Sequence, residues 1–153
     1  MISITGKVIS GYGVASGKGN DSRYPEGTLK LQMPFFKERG LDLSVFFIGT
    51  ININIAPKQF KIKKAKYYFK EINWSTYIPP ENFYFFEVQL IHKEKFYNGL
   101  IYMPDPKTKF DHHQINTLLE LLMPKIEGLN KGDSVILKIK KEESLIIMEN
   151  KTI

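Results

Sequence analysis

Cysteine is absent from this chain of 153 residues, and it contains only three histidines. Disulfides and thiolate metal sites are therefore excluded, and little remains for a zinc site. Stability must come from packing, for which 42% hydrophobic residues provide enough material. The length fits one domain with a real core and is short for two, so we expect a single domain over residues 1–153.

Long apolar runs are also missing. No stretch of about 18 uncharged apolar residues occurs, and the start MISITGKVIS lacks the basic flank and apolar run of a signal peptide. We therefore expect a cytoplasmic protein without a membrane segment.

Arginine occurs only at Arg23 and Arg39, so the net charge of +6 comes almost wholly from lysine. A positive charge attracts nucleic acid, phosphorylated small molecules or a membrane surface. Lysine, however, lacks the planar fork that binds phosphate or guanine through two hydrogen bonds. A compositional bias of the genome towards Lys, Ile and Asn explains the charge equally well, so both interpretations stay open.

Alternating apolar and polar residues predict strands along most of the chain. We expect strands at ISITGKVIS, TLKLQM, FFIGTININI and ENFYFFEVQLI, and two more after GLNKGD. A hairpin is predicted at HKEKFYNGLIYMP, with Asn98-Gly99 as its turn. The segment PFFKERG predicts a short helix that begins at Pro34 and ends before Gly40.

One long helix is predicted from Asp111, which can cap it while Gln114 reaches back from the third helical position. Pro124 would end this helix. Its apolar face has the spacing i, i+3, i+4 and i+7: Ile115, Leu118, Leu119 and Leu122. Six or seven strands against one long helix predict a mainly-β fold, a small closed barrel with the long helix packed over one end and one further, short helix.

The segment KQFKIKKAKYYFK (residues 58 to 70) contains six lysines among aromatic residues. Such a pattern suits a nucleic-acid surface, where lysines neutralise phosphates and rings stack on bases. It equally suits a solvated edge strand or loop whose lysines prevent sheet-to-sheet aggregation. The residues alone leave both interpretations open.

The segment GTININ places oxygen-bearing side chains on one face of a predicted strand. Ile51 and Ile53 would point into the core, so Thr50 and Asn52 would project together on the other side. A hydroxyl and an amide oxygen suit Mg²⁺, which typically arrives with a nucleotide's phosphates. The same pair is also an ordinary strand face, and Asn54 has no assigned role.

The glycine-rich segment GYGVASGKG is similarly open to two interpretations. Its backbone N–H groups could surround a phosphate, although glycine-rich hairpin loops are far more frequent. The spacing fits neither a Walker motif nor a dinucleotide fingerprint. A nucleotide bound here would therefore require a different fold.

The order of these segments resembles that of the archaeal CTP-dependent riboflavin kinases, a family of cradle-loop barrels. Their G-x-V-x-S-G-x-G opening is matched by GKVISGYG, their G-T-L-N motif by GTIN, and their closing G-L-x-x-G-D-x-V-x-L by GLNKGDSVIL. Partial matches occur at Glu26-Gly27, at 34–38, at 98–104 and at 120–124. The resemblance spans about residues 4 to 140, nearly the whole chain.

The resemblance implies that the closed barrel is of the cradle-loop type, and it implies transfer of the γ-phosphoryl group of CTP to riboflavin, which gives FMN. By match, Thr50 and Asn52 would hold Mg²⁺, and Glu120 is the candidate for a carboxylate that accepts the hydroxyl proton, although a solvated glutamate is the simpler interpretation. Nucleotide contacts are expected from the loop glycines, their neighbours and two cations: Gly11, Tyr12, Gly13, Lys18, Arg23 and Gly49. A chain with enough strands to close its own barrel is expected to be a monomer.

The chain departs from the family pattern in two respects. Residues 14–25 (VASGKGNDSRYP) are an insertion, either a lid that brings Lys18 and Arg23 to the nucleotide or an obstruction. Two arginines of the family pattern are missing, at the segments Thr28-Leu29-Lys30 and Ile126-Glu127-Gly128. A barrel that binds a nucleotide or flavin without catalysis therefore remains an alternative.

Three further interpretations follow from the residues. His112 and His113 are adjacent on the predicted helix, point about 100° apart and are expected at the surface or cap. A DNA-binding regulator is a third function class, because GLNKGDSVIL also resembles the swapped-hairpin regulators of the same wider fold group. Flavin stacking or core packing is expected of the aromatic residues Trp74, Phe83, Phe85, Tyr97 and Tyr102.

Overall fold

A computed structural model of the chain describes residues 1–11, 27–105 and 117–148. No helix within these ranges has the length and hydrophobicity needed to cross a lipid bilayer. The described ranges contain nine strands and one helix: β1 (Ile2–Gly11), α1 (Thr28–Glu38), β2 (Ile51–Asn54), β3 (Lys58–Ile62), β4 (Tyr67–Ile72), β5 (Glu81–His92), β6 (Lys95–Pro104), β7 (Leu118–Leu122), β8 (Ser134–Ile139) and β9 (Ser144–Met148).

Six of the strands close into an antiparallel barrel in the order β5-β6-β7-β2-β1-β8, because β8 pairs again with β5. The strand β4 extends the sheet beside β5, and β3 pairs with β9 in a separate two-stranded ribbon. The predicted mainly-β fold with a small closed barrel is confirmed. The predicted helices differ from those observed, as described below.

Aliphatic side chains fill the interior of the barrel. On β2, Ile51 and Ile53 are 1% and 0% exposed, and on β7, Leu119 and Leu121 are both 0% exposed. Successive side chains of a strand point to opposite faces, so the residues between these four point outwards. The prediction that Ile51 and Ile53 belong to the core is confirmed.

The helix α1 covers part of the outer face of the barrel with a second apolar cluster. Its Leu29 and Phe36 are buried against side chains of β4, β5, β6 and β7. The centroid of the Phe36 ring lies 5.1 Å from that of Phe83 and 5.1 Å from that of Phe85, and both pairs meet edge to face. This geometry is the favourable one for aromatic pairs.

Residues 28–33 (TLKLQM) are helical, although their alternation predicted a strand. Leu29, Gln32 and Phe36 are spaced as one face of a helix and are buried, whereas Leu31 is 46% exposed. The segment therefore follows the helical period when it packs on the sheet, and tertiary contact overrides the local alternation.

The short helix predicted at PFFKERG is the C-terminal part of α1. Pro34 lies inside the helix and is exposed, so its predicted place in the first turn is wrong. Gly40 follows the C-cap residue Arg39 with a φ of 101°, which glycine adopts without steric cost. The predicted end of the helix is confirmed.

The leucine-rich segment Leu118–Leu122 is the strand β7, so the long helix predicted for this part of the chain is wrong. Residues 106–116, where that helix was predicted to begin, lie outside the described residues. Leu119 and Leu121 face the barrel interior, while Leu122 on the opposite side belongs to the cluster under α1. Leucines therefore occur on both faces of this strand, which hides its alternation.

The turn between β5 and β6 is Lys93-Glu94, where φ is 49° and 66°, and not the predicted Asn98-Gly99. Asn98 and Gly99 lie within β6. A Cβ atom added at Gly99 would collide with the carbonyl oxygen of Leu122. The glycine is therefore explained by the close approach of β7, and not by a turn.

A buried histidine connects the end of β5 to the start of β8. His92 is 5% exposed, and its Nε2 lies 3.0 Å from Oδ2 of Asp133. The same oxygen accepts the backbone N–H of Asn130 at 2.9 Å. The hydrogen bond from Asn130 and then the contact with His92 hold the pKa of Asp133 below its ordinary value.

Replacement of Phe36 by alanine tests the docking of α1. Phe36 is fully buried, so Phe36→Ala should lower the free energy of unfolding by about 3–5 kcal/mol through lost contacts and a residual cavity. Leu31→Ala, on the exposed side of the same helix, should change it by less than about 0.5 kcal/mol. Urea unfolding of both variants measures the difference, and similar small effects would contradict the described packing.

Acid titration of stability tests the contact between His92 and Asp133. Because the folded-state pKa of Asp133 is lowered, its carboxylate stabilises the fold above its ordinary pKa, and this contribution is lost as the pH falls through the folded-state value. The gap in unfolding free energy between wild type and Asp133→Asn should therefore be present at pH 7 and shrink below about pH 4. The exposed Glu127→Gln serves as the control, and a gap that does not depend on pH would contradict this contribution.

Candidate functional site

Four neighbouring strands bring a row of polar side chains to the outer face of the barrel. The strand register places Ser10 opposite Asn52, Asn52 opposite Glu120, and Glu120 opposite Tyr102. Directly opposed residues of antiparallel strands have their side chains on the same face, so these four lie side by side. Together with Thr50, which precedes β2, we call them the outer polar row.

Thr50 connects the start of β2 to β7. Its side chain is almost fully buried, at 2% exposure, and its hydroxyl Oγ1 donates a hydrogen bond to Oε1 of Glu120 at 3.1 Å. Because the proton is directed at the carboxylate, the lone pairs of Oγ1 point elsewhere. The predicted pairing of Thr50 and Asn52 on one side of β2 is therefore extended by a carboxylate from β7.

The two polar side-chain atoms of Asn52 differ in their hydrogen bonding. Its amide Nδ2 donates to Oγ of Ser10 at 3.0 Å. Its Oδ1 is buried and has no hydrogen-bond partner among the residues that the structure describes. A buried oxygen without a partner costs free energy, and a cation or a hydrogen-bond donor bound beside it would offset that cost.

Tyr102 lies at the end of the outer polar row that α1 covers. It is 3% exposed, and its hydroxyl donates a hydrogen bond to Oε1 of Gln32 at 2.6 Å. Burial, followed by the negative charges of Glu120 and Glu81, raises the pKa of Tyr102 well above its ordinary value. Its hydroxyl therefore stays protonated at neutral pH and cannot act as a base.

The donor atoms of the outer polar row suit a hard cation. Mg²⁺ prefers oxygen ligands, and Thr50, Asn52 and Glu120 provide hydroxyl, amide and carboxylate oxygens on neighbouring strands. Over the described part of the chain, no group of three or more His, Cys, Asp or Glu side chains could hold a metal ion. A cation at this row would therefore need one carboxylate together with neutral oxygens.

Of the remaining residues predicted to contact the nucleotide, only Gly11 and Gly49 lie within the described ranges. Gly11 ends β1 and lies opposite Ile51, next to the start of the outer polar row. Gly49 is buried directly before Thr50. The others fall outside the described residues, as do the two adjacent histidines: Tyr12, Gly13, Lys18, Arg23, His112 and His113.

The aromatic residues considered for flavin stacking are mainly core residues. Phe83 and Phe85 are 0% exposed and pack under α1, as does Tyr102. Trp74 is 8% exposed, and its Nε1 donates a hydrogen bond to Oε1 of Glu81 at 2.9 Å. Tyr97, on β6, is half-buried against the barrel core.

Two lysines of the lysine-rich segment make polar contacts within the protein. Nζ of Lys63 donates to the carbonyl oxygen of Lys141 at 3.0 Å. Lys66 and Lys140 both contact Oε2 of Glu87, at 3.1 and 2.7 Å, and the hydrogen bond from Lys140 is the main cause of the lowered pKa of Glu87. Two of the six lysines are thus accounted for by contacts within the protein, and nucleic-acid binding by the segment stays a prediction.

Ser10 and Gln32 are the members of this neighbourhood to which the sequence assigned no site role. A register shift between Val8 and Ser10 places Ser10 opposite Asn52. No simple sequence pattern predicts such a bulge, because a bulge is defined by the pairing of two strands. Gln32 was placed in a predicted strand, and it reaches Tyr102 because the segment is helical.

No protein-family model matches this chain, and no curated protein matches it in sequence.

Proposed function

We propose that the protein is a riboflavin kinase-like phosphotransferase that transfers the γ-phosphoryl group of CTP to riboflavin, giving FMN with Mg²⁺ as cofactor. The outer polar row carries this proposal. Thr50 and Asn52, which the resemblance assigns to Mg²⁺, lie beside the carboxylate of Glu120, and Oδ1 of Asn52 lacks a partner within the described ranges. The closed barrel of six strands is compatible with the fold expected from the resemblance.

Thr50 and Asn52 would hold the metal ion through Oγ1 and Oδ1. When bound, Mg²⁺ would supply positive charge that offsets the negative charge on the phosphoryl oxygens. Gly11 lies opposite Ile51 across the β1–β2 pair, and the proposed phosphate loop is the glycine-rich segment that follows Gly11 in the sequence. Backbone N–H groups of this loop are proposed to contact the phosphates of CTP.

Glu120 has two possible uses at such a site. A carboxylate within hydrogen-bond reach of the ribityl hydroxyl of riboflavin would accept its proton as the phosphoryl group is transferred. A carboxylate that contacts a metal ligand would instead orient that ligand and supply charge. The hydroxyl of Thr50 is one observed partner of Glu120.

A catalytically silent barrel that binds a nucleotide or flavin is the second candidate. The segments where the kinase pattern has arginine carry no arginine here. Thr28 and Leu29 are buried in the first turn of α1, and Ile126 belongs to the barrel core, while Glu127 beside it is exposed and acidic. Fewer cations near the phosphates would weaken stabilisation of the transferring group.

Incubation with riboflavin, Mg²⁺ and each nucleoside triphosphate in turn tests the proposed function, with FMN measured by chromatography. FMN is expected with CTP, and Thr50→Ala and Asn52→Ala should each lower its rate of formation by about a hundredfold or more, because each removes a metal ligand.

Asn54→Ala is the matched control. Asn54 is the next outward residue of β2, it lies opposite Leu118 instead of Glu120, and its Oδ1 is occupied by the backbone N–H of Ala56. This variant should keep the wild-type rate. If no triphosphate gives FMN while CTP or riboflavin still binds, the silent barrel is correct and the kinase proposal is wrong.

A further inference from the structure

We infer that Glu120 belongs to the cation site of the outer polar row, where it positions Thr50 and supplies the negative charge, and that this site binds a divalent cation without a nucleotide. The inference rests on the proposed function in taking Thr50 and Asn52 as metal ligands. It goes beyond that function by assigning Glu120 to the cation instead of to proton transfer.

The hydrogen bond between Thr50 and Glu120 is the first observation. Oγ1 of Thr50 donates its only proton to Oε1 of Glu120 at 3.1 Å, and the threonine is almost fully buried. A buried hydroxyl held in this way keeps its lone pairs in a fixed direction, away from the carboxylate. Carboxylates that accept from a metal-binding group are the usual means of orienting such a group.

The unpaired oxygen of Asn52 is the second observation. Asn52 and Glu120 are opposed across the β2–β7 pair. The hydrogen bond from Nδ2 to Ser10 ties the amide to β1, so Oδ1 is the end of the amide that does not face Ser10. No described residue donates a hydrogen bond to this buried oxygen, so a cation beside it would offset the cost of its burial.

Charge is the third consideration. Two neutral oxygens hold Mg²⁺ poorly, and phosphates usually supply the negative charge. Glu120 supplies a carboxylate whose Oε1 lies within hydrogen-bond distance of Oγ1 of Thr50. Within the row, Glu120, Thr50 and Asn52 therefore offer one carboxylate and two neutral oxygens, a set of hard ligands that does not depend on a nucleotide.

Binding of Mn²⁺ to the protein alone tests this inference. Mn²⁺ takes the same hard oxygen ligands as Mg²⁺, and its free concentration is read from its electron paramagnetic resonance signal. The wild type should bind one equivalent saturably in the absence of CTP and riboflavin. Glu120→Gln should raise the dissociation constant by about tenfold to a hundredfold, because the glutamine oxygen still accepts from Thr50 but the charge is lost.

Three further variants complete the test. Thr50→Val and Asn52→Ala should each weaken Mn²⁺ binding. Glu127→Gln, which removes the same charge from an exposed position outside the row, should leave it unchanged. Urea unfolding of each variant separates loss of the fold from loss of the site.

The outcomes distinguish this inference from the proposed function. Mn²⁺ binding by the protein alone, weakened by Glu120→Gln, supports the inference even if no triphosphate gives FMN. If Glu120→Gln abolishes FMN formation and leaves Mn²⁺ affinity unchanged, Glu120 is the proton acceptor and the inference is wrong. The absence of saturable Mn²⁺ binding without CTP would also overturn it, and the unpaired oxygen would then be explained by rotation of the Asn52 amide towards the Ser10 hydroxyl.

Discussion

The pairing of β8 with β5 closes the sheet on itself, and the rest of the structure depends on this closure. A closed sheet has one interior, so each barrel strand must turn one set of alternate side chains towards it. Ile51 and Ile53 satisfy this requirement on β2, as Leu119 and Leu121 do on β7. The intervening residues are thereby forced outwards, and the register then places Asn52 next to Glu120.

The outer face of the barrel is divided between two kinds of contact. The helix α1 covers the part formed by β4, β5, β6 and Leu122 of β7 with an apolar cluster, and the outer polar row begins at the edge of this cluster. Tyr102 belongs to both regions, since its ring packs under α1 while its cross-strand partner is Glu120. The carboxylate of Glu120 is therefore partly buried and lies between an apolar cluster and polar oxygens, where its charge has more effect than in bulk water.

The sequence predicts strands well where one face is buried and the other is exposed. The segment ININ shows this alternation, and its inward residues Ile51 and Ile53 are predicted correctly. The strand β7 is missed because leucines cover both of its faces, and its spacing therefore satisfies a helical pattern equally well. The turn at Lys93-Glu94 is missed because neither residue is a glycine, although both adopt positive φ.

The site could be predicted only in part, because some of the secondary structure around it was predicted wrongly. Thr50 and Asn52 were placed correctly side by side, because strand periodicity alone decides that relation. Glu120 was expected near the end of a helix, so neither its register with Asn52 nor its hydrogen bond with Thr50 could be predicted. These contacts join residues about 70 positions apart, and local sequence does not encode such pairings directly.

The arrangement of β7 beside β2 is the claim on which the candidate site depends, and nuclear Overhauser effects between backbone protons test it directly. Cross-strand effects should connect Asn52 with Glu120 and Ile53 with Leu119, as the antiparallel register requires. Effects between residues three positions apart along Leu118–Leu122, which a helix would produce, would contradict the account and remove Glu120 from the site.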